Sequence, residues 1–146
     1  MNGFTSTVQY PIYRESTNKM YFPRYFGLDT FGNCRKNVLS KGVPISIEFQ
    51  GNLFEYQENI VDKFISHVGE SGGGLLDVEP GKGKTVMGLN ILGKLKTKTL
   101  VVVHKTFLLN QWKERILQFL PEAKVGLIQG QIVDVEDKDI VIGMLQ

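Results

Sequence analysis

The run from Glu79 to Thr85 constrains this chain more than any other feature, because it places two glycines, two lysines and a threonine in seven consecutive residues. It follows Gly74–Val78, an apolar run of strand length, and opens Thr85–Leu95, where apolar residues recur at helical spacing. Gly81 and Gly83 let the backbone turn several N–H groups toward one anion, and a helix beginning here adds the positive end of its dipole. The run therefore predicts a phosphate-binding loop between a strand and a helix.

The side chains of this loop suit a nucleotide. Lys84 supplies a mobile cation for the outer phosphates, and Thr85 supplies a hydroxyl suited to Mg²⁺. Val78 stands where the strict pattern has a glycine. The alternatives are a flexible basic turn, with Lys84 a surface lysine and Thr85 a helix cap. The predicted nucleotide-binding residues of the loop are Glu79, Pro80, Gly81, Lys82, Gly83, Lys84 and Thr85.

The composition excludes several classes of protein. With 146 residues, 42% of them hydrophobic and 22% charged, the chain has about the length of one globular domain. Cys34 is the only cysteine, so no internal disulfide forms, and two histidines argue against a structural zinc site. Apolar stretches fall far short of the ~20 residues of a membrane span, and the amino terminus lacks a signal-peptide core. We expect an intracellular protein, cytoplasmic or nuclear, without a membrane partner.

Residues 1–50 differ in composition from the rest. They hold nine of the fifteen aromatic residues and six Lys/Arg against three Asp/Glu, a net +3, whereas residues 51–146 carry a net −1. Prolines punctuate this part and no helical period is sustained, so we predict a small, mostly β or irregular accessory module. Its aromatics could stack nucleic-acid bases, but the core of a small module is the favoured interpretation. The mild basic excess permits contact with nucleic acid without establishing it.

From residue 51 onward the pattern is α/β. Thr99–Val103 is a continuous β-branched run that predicts a central parallel strand, and Thr106–Leu120 predicts an amphipathic helix. Short apolar runs follow at Val125–Ile128 and Ile140–Gly143. This alternation predicts a doubly wound parallel sheet. An earlier helix is predicted with one face formed by Leu53, Gln57, Ile60, Phe64 and Val68.

Four segments follow one another in residues 51–146. The first two are Phe54–Gln57, which resembles the pattern "R-P-Y-Q", and Pro80–Thr85 of the predicted phosphate loop. The next two are Val102–Lys105 with Leu108–Trp112, which resembles "V-H-x-x-x-L-L-x-Q-W", and Asp139–Gln146, which resembles "D-I-V-I-G-T-x-Q". In this order they resemble the opening, motif I and the next two conserved segments in the first lobe of a superfamily 2 helicase motor, of the XPB/UvsW-like branch that includes relatives in large DNA viruses.

This resemblance implies a fold, cofactors and site residues. The fold would be the RecA-like doubly wound sheet of an ATP-dependent helicase, with ATP and Mg²⁺ as cofactors and Lys84 and Thr85 as its catalytic residues. Gln57 would lie near the adenine. His104, Lys105 and Gln146 would grip nucleic acid, with DNA expected more than RNA. Met144 departs from the family, which has a threonine there that touches the nucleic-acid backbone.

The same resemblance places an Asp-Glu box and the arginines of a second lobe beyond residue 146, so we expect the N-terminal fragment of a longer enzyme. If it is viral, a cytoplasmic replication site fits. Two other classes are open. One is a different P-loop enzyme, such as a nucleotide kinase, which would need an arginine-bearing lid. The other is a nucleic-acid-binding module without catalysis.

Several residues also have plainer interpretations. Gln57 could be a solvated helix residue, and His104 a hydrogen-bonded histidine at a strand end. Trp112 falls on the apolar stripe of its helix, so core packing is favoured over base stacking. The acidic side chains between Asp134 and Asp139 are interpreted as a solvated turn rather than a metal cluster, because nothing forces flexible carboxylates together there.

Overall fold

The computed structural model describes residues 10–145, apart from the side chains of residues 70 and 71. The chain divides after Ser40 into two compact units. The first contains β1 (Arg14–Ser16), β2 (Lys19–Tyr21) and α1 (Arg24–Phe31). The second contains α2 (Glu55–Ser71), α3 (Lys84–Leu95), β3 (Thr99–Val103), α4 (Thr106–Phe119), β4 (Val125–Gln129), β5 (Ile132–Asp134) and β6 (Ile140–Met144).

The first unit has the predicted short strands, paired as an antiparallel hairpin, but it also has a helix that sequence reasoning missed. Helix α1 begins after Pro23 and ends at Gly32, which adopts a left-handed φ of 75°. None of its residues is buried. Apolar residues recur at helical spacing where one face of a helix is buried, so this helix carries no such pattern in its sequence. No residue between 10 and 40 is buried, so these aromatics do not form the predicted core in a buried sense, although Phe22 contacts three other rings of this unit.

The second unit begins earlier than the predicted boundary between residues 50 and 51. Ile47 is 1% exposed and belongs to the main apolar core, and Ile45 and Phe49 pack against that core. Residues 41–50 therefore lie with the α/β unit. Their alternating apolar residues are the signal that marks them as part of it.

The sheet of the second unit has the strand order β3-β6-β4-β5. β3, β6 and β4 are mutually parallel, as predicted, and β5 adds an antiparallel strand that sequence reasoning missed. Gly130, with a φ of 59°, is the signal for the tight turn from β4 to β5. β3 was predicted to be central, but it is an edge strand of the sheet that the described residues form, and Leu100 and Val102 remain more than half exposed.

Helix α3 is buried on two sides, which explains its high apolar content. Leu89 and Leu92 join the main core with residues of the sheet and α4, while Met87 and Ile91 pack with Val61 of α2. Helix α3 therefore lies between the sheet and α2. The three helices of this unit match the predicted ones closely, because each has a period that one buried face imposes.

Gly74–Val78, predicted to be a strand, has no regular secondary structure and pairs with no described strand. Leu76 and Val78 pack against the apolar cluster of Val61, Met87 and Ile91 between α2 and α3, whereas Leu75 is 90% exposed. An apolar run becomes a strand only when a neighbouring strand accepts its hydrogen bonds. Among the described helices, none is long and apolar enough to cross a membrane.

Candidate functional site

The loop that joins the extended segment to α3 has the backbone geometry of an anion site. Gly81 and Gly83 take left-handed φ values of 83° and 81°, and Gly83 is the N-cap of α3. Because the N-cap residue is a glycine, it has no side chain to cap the N–H groups of the first turn of α3. These donors, together with the positive end of a 12-residue helix, face the loop. A phosphate group would satisfy them.

Lys84 and Thr85 are the first two residues of α3. The Lys84 ammonium donates a hydrogen bond of 2.8 Å to the carbonyl oxygen of Val78, so it spans the loop rather than extending into solvent. Thr85 is partly buried in the first turn and is not the helix cap, because Gly83 holds that position. The structure thus brings the cation and the hydroxyl to the same helix end as the uncapped N–H groups.

Gln57 is 5% exposed and connects α2 to the loop. Its Oε1 accepts a 3.0 Å hydrogen bond from the N–H of Phe54, and its Nε2 donates one of 3.0 Å to the carbonyl oxygen of Lys82. A Cβ at Gly83 would overlap Nε2 of Gln57, so a larger residue there would displace this amide as well as strain the left-handed φ. The interpretation of Gln57 as a solvated residue is wrong, and its contact with adenine stays a prediction.

Tyr56 is a site residue that sequence reasoning missed. Its hydroxyl accepts from Nε2 of Gln57 at 3.3 Å and donates to the carbonyl oxygen of Lys82 at 3.2 Å. Its ring stacks on that of Phe54, with centroids 5.9 Å apart and planes 8° from parallel. Both rings are exposed beside the loop. The only signal in the sequence was their place in the stretch that precedes Gln57.

The residues predicted to contact nucleic acid follow the carboxyl end of β3. His104 and Lys105 are exposed, and Lys105 is the N-cap of α4. The N–H of Leu145 donates to the carbonyl oxygen of Val103 at 2.7 Å, which places the end of β6 beside the end of β3. Open α/β sheets bind ligands at this edge. Gln146, the third predicted residue, lies outside the described residues.

Met144 and Trp112 each lie against a neighbouring element of the second unit. Nε2 of Gln129 lies 3.4 Å from Sδ of Met144, so the methionine at the end of β6 is engaged by its neighbour on β4. Trp112 is partly buried against the main core, and a Cβ at Gly88 would lie 3.4 Å from its ring. Trp112 therefore packs against the core, as predicted, and it does so beside Gly88 of α3.

The acidic residues between β5 and β6 serve the turn in which they lie. Asp134 forms an ion pair of 3.2 Å with Lys138, and Oδ2 of Asp139 accepts from the N–H of Lys124 at 2.8 Å. Asp137 takes a left-handed φ of 51°. Among the side chains that the structure describes, no three His, Cys, Asp or Glu residues are placed to hold a metal ion. The ion pair and the hydrogen bond agree with the predicted turn, and the contact of Thr85 with Mg²⁺ stays a prediction.

This chain is similar to a known protein family and to several helicases. Residues 50–146 match the family described as "Type III restriction enzyme, res subunit". A protein of Acanthamoeba polyphaga mimivirus, named as a candidate ATP-dependent RNA helicase (L396), is 37% identical over 94% of this chain and 27% of its own length. A candidate DNA 3'-5' helicase, Rad25, of Halobacterium salinarum is 34% identical over 54% of this chain and 12% of its own length.

The fold agrees with a solved structure of the same kind. The Sulfolobus solfataricus SWI2/SNF2 ATPase core, determined in complex with double-stranded DNA, matches with a TM-score of 0.59 at 22% identity. The match covers 73% of this chain and 24% of that chain, and it confirms the predicted RecA-like α/β fold. The chain spans about a quarter of the length of the viral relatives that it matches. This chain belongs to the family described as "Type III restriction enzyme, res subunit", among the superfamily 2 helicases.

Proposed function

We propose that this chain is the ATP-binding part of an ATP-dependent nucleic-acid helicase or translocase. One observation carries the proposal. Gln57 and Tyr56 hold the loop through the Lys82 carbonyl, and the loop leads through Gly83 into the uncapped end of α3, where Lys84 lies. A loop held in this way by a neighbouring helix is a preformed receptor for a polyphosphate.

The residues present fit ATP and Mg²⁺. The left-handed glycines and the N–H groups of the first turn of α3 suit the inner phosphates, and the Lys84 ammonium can leave the Val78 carbonyl for the outer phosphates. Thr85 would offer its hydroxyl to Mg²⁺. When bound, Mg²⁺ neutralises part of the charge on the phosphates. Gln57 has committed both amide hydrogens, so it would face adenine through the remaining lone pair of Oε1.

Nucleic acid would contact the carboxyl edge of the sheet through His104, Lys105 and Gln146. The exposed Lys105 side chain supplies charge for a phosphate, and its position at the start of α4 adds a helix N-terminus. We favour DNA over RNA. The Rad25 relative is named for DNA and the SWI2/SNF2 core was determined with duplex DNA, whereas the mimivirus relative is named for RNA. For such substrates we propose a location in the cytoplasm or the nucleus.

Hydrolysis would require groups that the resemblance places beyond residue 146. A carboxylate would position the attacking water, and arginines of a second lobe would stabilise the charge on the transferring phosphoryl group, an effect worth about 10³–10⁵ in rate. Residues 1–146 would therefore bind ATP without turning it over. Lys84 and Thr85 are the residues of this chain that would act on the reacting phosphates.

Phosphate-release assays test the proposal. A longer polypeptide that carries this segment together with an Asp-Glu box and a second lobe should hydrolyse ATP, faster with nucleic acid, and Lys84→Ala should remove that activity. Residues 1–146 alone should stay at background. Robust ATP hydrolysis by residues 1–146 would overturn the proposal, and so would ATP hydrolysis by the longer enzyme at a rate that nucleic acid does not change. The second outcome would point to a P-loop enzyme that is not a motor.

A further inference from the structure

One face of the β1–β2 hairpin carries an exposed aromatic ring between basic residues. Arg14 lies directly opposite Tyr21 across the two strands, and Ser16 lies opposite Lys19. Directly opposed residues share a face of an antiparallel pair, and side chains two apart on a strand share it too. Arg14, Lys19 and Tyr21 therefore point to the same side. Tyr21 is 55% exposed.

A second pairing of tyrosine with arginine lies at the start of α1, four residues after Tyr21. The guanidinium carbon of Arg24 lies 6.0 Å from the centroid of the Tyr25 ring, and Tyr25 is 46% exposed. This distance is within reach of a cation–π contact, which orients the ring and keeps a positive charge beside it. Tyr21 and Tyr25 thus each have an arginine for a neighbour.

A different set of rings holds this unit together. Phe22 contacts Tyr13, Phe26 and Phe31, with centroid separations of 6.5, 5.7 and 5.4 Å. Neither Tyr21 nor Tyr25 contributes a ring to these three contacts. The side chains that join the hairpin to α1 are thus distinct from the two tyrosines that have arginine neighbours.

The net charge of this part of the chain indicates which kind of ligand would bind at the exposed Tyr21 and Tyr25. Residues 10–40 carry five Lys/Arg against two Asp/Glu, a net +3. An anionic partner complements this excess, and exposed aromatic rings beside cations match a ligand that alternates flat bases with phosphates. A duplex keeps its bases stacked on one another, so only an unpaired strand can offer them to tyrosine rings.

We propose that the hairpin and the start of α1 form a binding surface for single-stranded nucleic acid. Tyr21 and Tyr25 stack on bases, while Arg14, Lys19 and Arg24 contact the phosphates on either side. This surface extends the proposed function by giving the strand a second contact. It lies in the first unit and needs no residue of the phosphate loop.

Fluorescence anisotropy with the whole chain tests this surface in the absence of nucleotide. The probes are labelled oligothymidylate, oligouridylate, an abasic strand of the same length and a duplex. The double variant Tyr21→Ala/Tyr25→Ala should bind the two base-bearing strands at least about fivefold more weakly for each stacked base lost. Its affinity for the abasic strand should equal that of the wild type, because the phosphate contacts remain.

The double variant Tyr21→Phe/Tyr25→Phe is the matched control, since it keeps both rings and removes only the hydroxyls. It should bind all four probes as the wild type does. Arg14→Gln should lower the salt dependence of single-strand binding by about 0.7 in slope, the value for one phosphate contact. The two base-bearing probes show whether DNA or RNA is preferred.

Three results would overturn the proposal. They are unchanged binding of oligothymidylate by the alanine variant, an equal loss for the base-bearing and abasic strands, and a loss of duplex binding by this variant as large as its loss of single-strand binding. Titration of the same variants with ADP separates this proposal from the proposed function. If the wild type fails to bind nucleotide while the tyrosine effect holds, the ATPase proposal fails and the surface stands.

Discussion

Nε2 of Gln57 donates a hydrogen bond of 3.0 Å to the carbonyl oxygen of Lys82, joining two residues that lie 25 positions apart in the sequence. The first is near the start of α2 and the second is inside the phosphate loop. Because Gln57 is buried and also accepts from the N–H of Phe54, the position of the loop depends on how α2 packs. Four predictions concern this site and the sheet edge beyond it.

Lys84→Ala should weaken ADP and ATP binding by at least about tenfold, because a hydrogen bond to a charged group contributes about 1.5–3 kcal/mol. Lys63→Ala is the matched control, since Lys63 is an exposed lysine on α2 away from the loop. Isothermal titration calorimetry on residues 1–146 measures both. We expect weak binding by the wild type, since the second lobe would close over the nucleotide. Equal affinities for the wild type and Lys84→Ala would falsify the loop assignment.

Gln57→Ala should lower the free energy of unfolding by about 1–3 kcal/mol, because it leaves the Lys82 carbonyl and the Phe54 N–H without this partner in a partly buried place. Urea unfolding followed by the fluorescence of Trp112 reports the change. Gln118→Ala removes a hydrogen-bonded amide from the exposed face of α4 and should change stability much less. An equal decrease in the free energy of unfolding in both variants would contradict the view that Gln57 stabilises the loop through these hydrogen bonds.

Gly83→Ala and Gly81→Ala form a pair that separates backbone strain from steric overlap. Both glycines have left-handed φ, so each alanine costs about 1–2 kcal/mol. A Cβ at Gly81 meets no atom within 4 Å, whereas one at Gly83 overlaps Gln57. Gly83→Ala should therefore be the more destabilising in urea unfolding. Its excess over Gly81→Ala should shrink when Gln57 is already alanine, and an additive double-mutant cycle would show that the two residues do not interact.

His104→Ala and Lys105→Ala should each weaken binding of nucleic acid, without regard to its base sequence. Each lysine–phosphate contact releases condensed counterions, so Lys105→Ala should reduce the slope of affinity against salt by about one unit on duplex DNA. Anisotropy at several salt concentrations measures the slope, with Lys63→Ala as the control for a lost positive charge. Salt-insensitive binding, or full affinity after both changes, would show that nucleic acid does not contact this edge of the sheet.

The phosphate loop, the three helices of the second unit and the parallel strands could be predicted from the sequence because their signals are local. Two glycines beside a lysine specify the loop, and one buried face gives each of α2, α3 and α4 its period. The helix α1 and the strand β5 were missed. They bury no residue of their own, so the pattern of apolar residues does not mark them.

The sequence alone therefore determined which segment forms the glycine loop before α3 and which segments form helices, because glycine conformations and apolar periods are properties of neighbouring residues. Only the tertiary structure decided that Gly74–Val78 pairs with no described strand, that β3 is an edge strand of the sheet formed by the described residues, and that Ile47 belongs to the core. It also decided that Gln57 and Tyr56 hold the Lys82 carbonyl. These features depend on which distant surfaces meet, since burial and hydrogen-bond partners are set by packing and not by spacing along the chain.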